Sequence, residues 1–291
     1  MSKILVILIG VVLSHSAFAD RCAKSKEIRQ TFPAGSFNEM RLNALAGSLY
    51  IEAGDDDEVV IEGIACSDET EYLDRMHIDM DARGQILEVT VIIPYNERDW
   101  YADYAHIDLT LKVPAAITNL IKDSSGDLEA NGVTLSRIED SSGDIRLRNT
   151  LGNLSLKDSS GNLTVRGHTG NLKLEDSSGD LDVSEVDGAV IVKRDSSGDI
   201  EIEKVTGLVT IERDSSGDID IEQVGQSVTV AADGSGSIRI RDVRGSVEIG
   251  ADGSGDVRVR TIDGDFRLVS KGSGDISTSN IKGSISIPDY N

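Results

Sequence analysis

The feature that most constrains this chain is one phrase repeated at near-constant spacing. Asp-Ser-Ser-Gly-Asp, or a close variant, places a glycine at Gly126, Gly143, Gly161, Gly179, Gly198, Gly217, Gly236, Gly255 and Gly274, at intervals of 17, 18, 18 and then 19 residues throughout. A second set of glycines falls between these, at Gly152, Gly170, Gly188, Gly207, Gly225, Gly245, Gly264 and Gly283. Each repeat therefore has two halves, and each half ends in a turn. Between the turns the apolar residues alternate: Ile200, Ile202, Val205, Val209 and Ile211 in one repeat, then Ile219, Ile221, Val224, Val228 and Val230 in the next. Period-two spacing of β-branched residues specifies short strands with one buried face. Glycine at this density would break any helix.

Short strands at a constant repeat length predict a coil that stacks on itself: an all-β parallel β-helix, or β-solenoid, of about 19 residues per coil. Equivalent residues of successive coils then stand about 4.8 Å apart. A meander sandwich would not require consecutive repeats to match in register. Residues 42–64, 76–94 and 106–113 also alternate as strands, but they lack the phrase and carry longer connections. Residues 20–120 are expected to form an N-terminal β region that caps the solenoid and supplies its first irregular coils. Residues 121–291 form the regular repeats, and Pro288, which cannot donate to a ladder, blunts the last edge.

The first nineteen residues read as a cleaved secretory signal. Lys3 supplies the positive start, residues 4–13 the apolar run, and Ala17-Phe18-Ala19 the small-x-small cleavage pattern. The run is too short for a comfortable membrane span, so no transmembrane segment is expected in the mature chain. The expected location is the periplasm, the cell surface or the extracellular space. In such an oxidising compartment the two cysteines, Cys22 and Cys66, read as one disulfide. They are too few for a structural zinc site.

The formal net charge is −22, from 51 acidic and 29 basic side chains. That charge repels nucleic acid and anionic lipid, leaving cations, cationic surfaces and neutral glycans as partners. Stacking concentrates part of it in columns. The first aspartate of the phrase recurs as Asp123, Asp140, Asp158, Asp176, Asp195, Asp214, Asp233 and Asp252, then gives way to Lys271. The second recurs as Asp127, Asp144, Asn162, Asp180, Asp199, Asp218, Ser237, Asp256 and Asp275. Like charges about 5 Å apart repel by roughly 0.8 kcal/mol per pair even in water. One reading is turn chemistry: aspartate and serine accept backbone N–H groups, and glycine takes the positive φ. The other is Ca²⁺ held between the columns, with Asp176, Asp180, Asp195, Asp199, Asp214 and Asp218 as its ligands. The breaks at Asn162, Ser237 and Lys271 count against the second reading, as does the absence of the nonapeptide spacing of Ca²⁺-binding β-rolls.

The outward positions change in blocks. Arg146 and Arg148 precede Thr164 and Arg166, Asp182 and Ser184, Glu201 and Glu203, Asp220 and Glu222, Arg239 and Arg241, and Arg258 and Arg260. Arg239 and Arg241 are candidate contacts for a charged polymer or another protein, although a solvated face with weak cross-coil pairs gives the same pattern. Residues 94–108, "PYNERDWYADYAHID", gather the single tryptophan and three of the six tyrosines. Trp100, Tyr101 and Tyr104 are the candidate glycan-stacking residues, and the same stretch suits a hydrophobic cap over the solenoid end. Catalytic signals are weak. His77, His106 and His168 fall on different coils, there is no phosphate loop, and few insertions wall a groove. No enzyme and no cofactor other than candidate Ca²⁺ are expected.

A leader, a loose β region, the segment "LTLKVP" at 109–114 and repeated "SSGDIEIEKVTGLVTIE" units together resemble the bacterial putative-adhesin family of β-strand-repeat proteins. The resemblance covers residues 36–288. It implies a parallel β-helix on or outside the cell envelope and brings no catalytic residues. The expected function is a non-enzymatic binding, adhesion or structural surface in the envelope, facing polysaccharide or protein. The alternatives are a Ca²⁺-binding structural solenoid and a carbohydrate-active enzyme on the same scaffold.

Overall fold

In a computed structural model, which describes residues 22–94 and 105–288, the chain is a parallel β-solenoid of about 9 turns with roughly 19 residues per turn. The leader at 1–19 and the aromatic residues Trp100, Tyr101 and Tyr104 lie outside the described residues.

The N-terminal part contains β1 (Lys24–Pro33), β2 (Glu39–Asn43), β3 (Leu49–Ala53), β4 (Glu58–Ser67), α1 (Thr70–Arg75), β5 (His77–Arg83), β6 (Ile86–Ile92) and β7 (Ala105–Val113). The coils continue through β8 (Thr118–Lys122), β9 (Leu128–Asn131), β10 (Thr134–Glu139), β11 (Ile145–Leu151), β12 (Leu154–Lys157), β13 (Leu163–Thr169), β14 (Leu172–Glu175), β15 (Leu181–Asp187) and β16 (Val190–Arg194). They end with β17 (Ile200–Val205), β18 (Val209–Ile211), β19 (Ile219–Val224), β20 (Val228–Asp233), β21 (Ile238–Val243), β22 (Val247–Ser254), β23 (Val257–Ile262), β24 (Phe266–Ser273), β25 (Ile276–Ile281) and β26 (Ile285–Ser286).

From β8 onward each strand pairs in parallel with the strand two places later, giving two ladders. Register follows the repeat residue for residue. Ile200 pairs with Ile219 and Ile219 with Ile238, so isoleucine stacks on isoleucine. These inward side chains are at most 1% exposed and belong to one continuous core running from Phe32 to Leu268. Burying each contributes roughly 1.5–3 kcal/mol. A single coil has no second layer to bury against, so this core exists only because neighbours stack.

The first coils do not stack in chain order. β2 lies between β6 and β8, and β3 lies between β7 and β9, so residues 39–53 are inserted between two later segments. Beyond that level the pairing turns antiparallel: β5 on β6, β4 on β7 and β1 on β4. The Cys22–Cys66 disulfide, with Cα atoms 5.5 Å apart, fastens the start of β1 to β4. Among the described residues β1 and β5 each pair on one side only. They carry Lys24, Lys26, Glu27 and Arg29, and Asp79, Asp81 and Arg83, charges that oppose further strand addition.

Candidate functional site

The two aspartate columns lie in different environments. The first is inside. Asp123, Asp140, Asp158, Asp176, Asp195, Asp214, Asp233 and Asp252 are all 6% exposed or less. In the first coils one oxygen accepts the next backbone N–H: Ser124 to Asp123 at 2.7 Å, Ser159 to Asp158 at 2.6 Å and Ser196 to Asp195 at 2.8 Å. At least one oxygen of each of the eight has no hydrogen-bond partner among protein atoms. Apart from Asp252, which faces Lys271 across the ladder, no basic side chain pairs with them among the described residues. Burial, chiefly, pushes Asp123, Asp195 and Asp233 up to about 7 and Asp158 up to about 6. Neighbouring aspartates raise them further, and the serine N–H groups pull the other way. Asp140, Asp176 and Asp214 rise for the same first reason.

The second column is outside and serves the backbone. Asp180 and Asp199 are exposed and Asp218 is half-buried. Asp180 Oδ1 accepts Asp199 N–H at 3.1 Å, Asp199 Oδ1 accepts Asp218 N–H at 2.8 Å, and Asp218 Oδ1 accepts Ser237 N–H at 2.8 Å. Asn162 does the same with its amide oxygen, accepting Asp180 N–H at 3.0 Å. The position therefore needs an acceptor, and a negative charge is dispensable. The glycine between the columns sits at positive φ, and a Cβ on Gly198 would lie 1.8 Å from the carbonyl oxygen of Gly179.

These placements bear on the metal candidates. Asp176, Asp195 and Asp214 point inward, while Asp180 and Asp199 stand on the outside with one oxygen already committed and Asp218 with both. Among the described residues the one place where three ligand atoms of His, Cys, Asp or Glu lie within 4.8 Å of one another is Cys22, Cys66 and His106, and both cysteines are in the disulfide. A Ca²⁺ ion takes six to eight oxygens, and a single file of carboxylates does not converge on one point.

The outward ladder places its charge blocks in direct register. Glu201 stands between Asp182 and Asp220, and Glu203 between Ser184 and Glu222, forming an acidic band. Arg239 and Arg241 follow on Asp220 and Glu222, and Arg258 and Arg260 follow on them. Arg239 Nη1 donates to Asp218 Oδ2 at 2.8 Å and Arg241 Nε to Glu222 Oε2 at 2.6 Å. The Ser237 N–H and then the Arg239 guanidinium hold Asp218 below the usual carboxylate range. Both arginines remain more than a third exposed, so these pairs add little stability and leave the guanidinium faces accessible.

The histidines do not meet. His168 is buried with Nδ1 2.9 Å from Thr150 Oγ1, and burial lowers its pKa. His77 lies on the edge strand β5, and His106 faces Cys66 across the β4–β7 pair. A hollow of about 250 Å³ near Arg41, Glu88, Lys122 and Glu139 is smaller than most ligand pockets.

Residues 106–204 match the Toastrack DUF4097 family. The matched segment runs from β7 through β17 and so contains the start of both aspartate columns and the beginning of the acidic band. The match bears out the family resemblance read from the repeat. No curated protein matches the chain. Among solved structures, a "putative cell adhesion protein" from Clostridium sporogenes is 12% identical, covering 88% of this chain and 99% of that one at a TM-score of 0.33. A "putative adhesin" from Parabacteroides merdae is 14% identical, covering 90% and 97% at 0.31. A "putative lipid binding protein" from Parabacteroides distasonis is 15% identical, covering 90% and 97% at 0.30. Likeness at this level is too low to transfer a ligand or a role. No helix of the described residues is long and apolar enough to cross a membrane.

Proposed function

We propose that this protein is a non-enzymatic, exported β-solenoid whose outward ladder is a binding surface in the cell envelope, facing polysaccharide or protein. One observation carries this reading. Inward positions and turn positions repeat from coil to coil, while the outward positions change in blocks from basic to acidic to basic. Folding requires the first two sets to repeat; nothing in the fold requires the third to vary. The leader pattern and the Cys22–Cys66 disulfide support export. On this reading the Asp-Ser-Ser-Gly-Asp phrase builds the turn and holds no resident metal.

The test is adhesion of the purified mature protein to envelope polysaccharide and to whole cells. Arg239→Glu with Arg241→Glu is expected to abolish binding while circular dichroism stays unchanged. Trp100→Ala tests the aromatic segment in the same assay. Undiminished binding by the arginine variant would remove the ladder from consideration. Release of reducing ends from a glycan panel would favour an enzyme instead.

A further inference from the structure

The two ends of the solenoid are finished differently. At the N-terminal end the two strands that pair on one side only among the described residues, β1 and β5, both carry charges. At the other end β25 reads Ile-Ser-Thr-Ser-Asn-Ile and β26 reads Ile-Ser, with no charged residue in either. The register makes the change specific. Ser277 stands where the previous coil has Arg258, and Ser279 where it has Arg260. The coils from β11 to β23 have at least one charged residue at these two positions. Exposed Asp275 and Lys282 flank β25, but the strand itself lacks the charges that ordinarily protect an open edge.

The same end is apolar. Of the five large hydrophobic side chains left exposed among the described residues, Ile285 and Ile287 belong to this coil, at 51% and 36%, and Val269, at 47%, lies in β24 of the coil beneath it. Ile276 and Ile281, whose equivalents one coil earlier are at most 1% exposed, are only partly buried. β26 is two residues long and pairs only through Ile285 and Ser286, so the second half of β24 has no strand over it among the described residues.

We propose that this end docks on the same end of a second copy, with β25 antiparallel to β25 about a two-fold axis. A two-fold contact sets each surface against itself, so like charges in it would repel. A Ser/Thr/Asn strand is compatible with that symmetry, and the arginine or acidic strands of the other coils are not. A contact confined to the end of one coil is smaller than a standard stable interface, which places the dimer among weak, reversible contacts.

Sedimentation velocity of the mature protein, in a concentration series reaching the millimolar range, reads this directly. A reversible monomer–dimer equilibrium is expected. The variant carrying Ser277→Glu and Ser279→Glu sets carboxylates beside Arg258 and Arg260 of its own chain, so the monomer keeps its fold and its melting temperature. In the dimer those carboxylates face their symmetry mates, and the association constant is expected to fall at least tenfold. A wild type that stays monomeric throughout would overturn the proposal. So would a dimer that the double variant leaves intact, or growth past the dimer into longer assemblies.

Discussion

Replacing Asp158 with asparagine should make the protein more stable at neutral pH and leave it unchanged in acid. Asp158 is 1% exposed, its Oδ1 accepts Ser159 N–H at 2.6 Å and Ser160 N–H at 3.3 Å, and its Oδ2 has no partner. Burial, above all, raises it from 3.8 to about 6, and Asp140 and Asp176 add to the rise. Below the unfolded value both states are protonated and the carboxyl costs nothing. As pH climbs from about 4 to about 6 the unfolded chain ionises while the folded one holds its proton, so stability falls by about 1.4 kcal/mol per pH unit. Above that window the cost is constant, at most about 3 kcal/mol. Asparagine does not titrate, keeps the acceptor for the serine N–H groups, and offers an amide donor to the unpartnered oxygens of its neighbours. Asp158→Asn should therefore gain roughly 1–3 kcal/mol at pH 7.5, a rise of about 2–10 °C in Tm for a chain of this size. At pH 3.5 the two proteins should melt together. Thermal unfolding followed by circular dichroism at both pH values decides it. Equal destabilisation at both would refute the reasoning, because the carboxyl would then be acting through its shape or in a charged form.

Three other variants probe separate parts of the fold. Gly198→Ala drives a Cβ to 1.8 Å from the Gly179 carbonyl at a φ of +126°, and should cost more than about 3 kcal/mol or prevent folding, as judged by soluble yield and Tm. Thr261, a β-branched residue at φ 59°, should be improved by glycine, with Thr261→Gly gaining about 0.5–1 kcal/mol in chemical denaturation. Cys66→Ser opens a loop of 44 residues and should cost about 2–4 kcal/mol, with hydrogen exchange rising in β1 and β4 before the regular coils.

The regular coils were legible because a solenoid writes its contacts into its period. Ile200, Ile219 and Ile238 are one repeat apart in sequence and directly paired in space. Cross-coil pairing at the edge of the acidic band was legible for the same reason, and Arg241 does meet Glu222. The insertion of residues 39–53 between later strands was not, because it depends on long-range pairing that no local pattern reports. Gly47 is the first member of the turn-glycine column, under Gly126, yet it appears without the phrase and was missed; the alternation in Leu49 and Ile51 just after it was the available signal. A second column escaped entirely. Asn149, Glu185, Lys204, Gln223, Asp242, Thr261 and Asn280 all take φ between 51° and 59°, at a corner where Gly132 and Gly167 stand in other coils. Glutamate, lysine and threonine do not advertise a left-handed backbone. The unequal burial of the two aspartate columns was also hidden, since both read as polar turn residues and only the coil geometry turns one inward.

Thermal unfolding at pH 7.5 in a chelator, followed by a Ca²⁺ titration, tests most directly whether the repeated phrase serves the turn while recognition belongs to the outward ladder. The account predicts a Tm that stays flat as Ca²⁺ rises, because the outer carboxylates are engaged with backbone N–H groups and the inner ones form a single file. A large, saturable rise in Tm would contradict it and make the aspartate columns an ion-binding site.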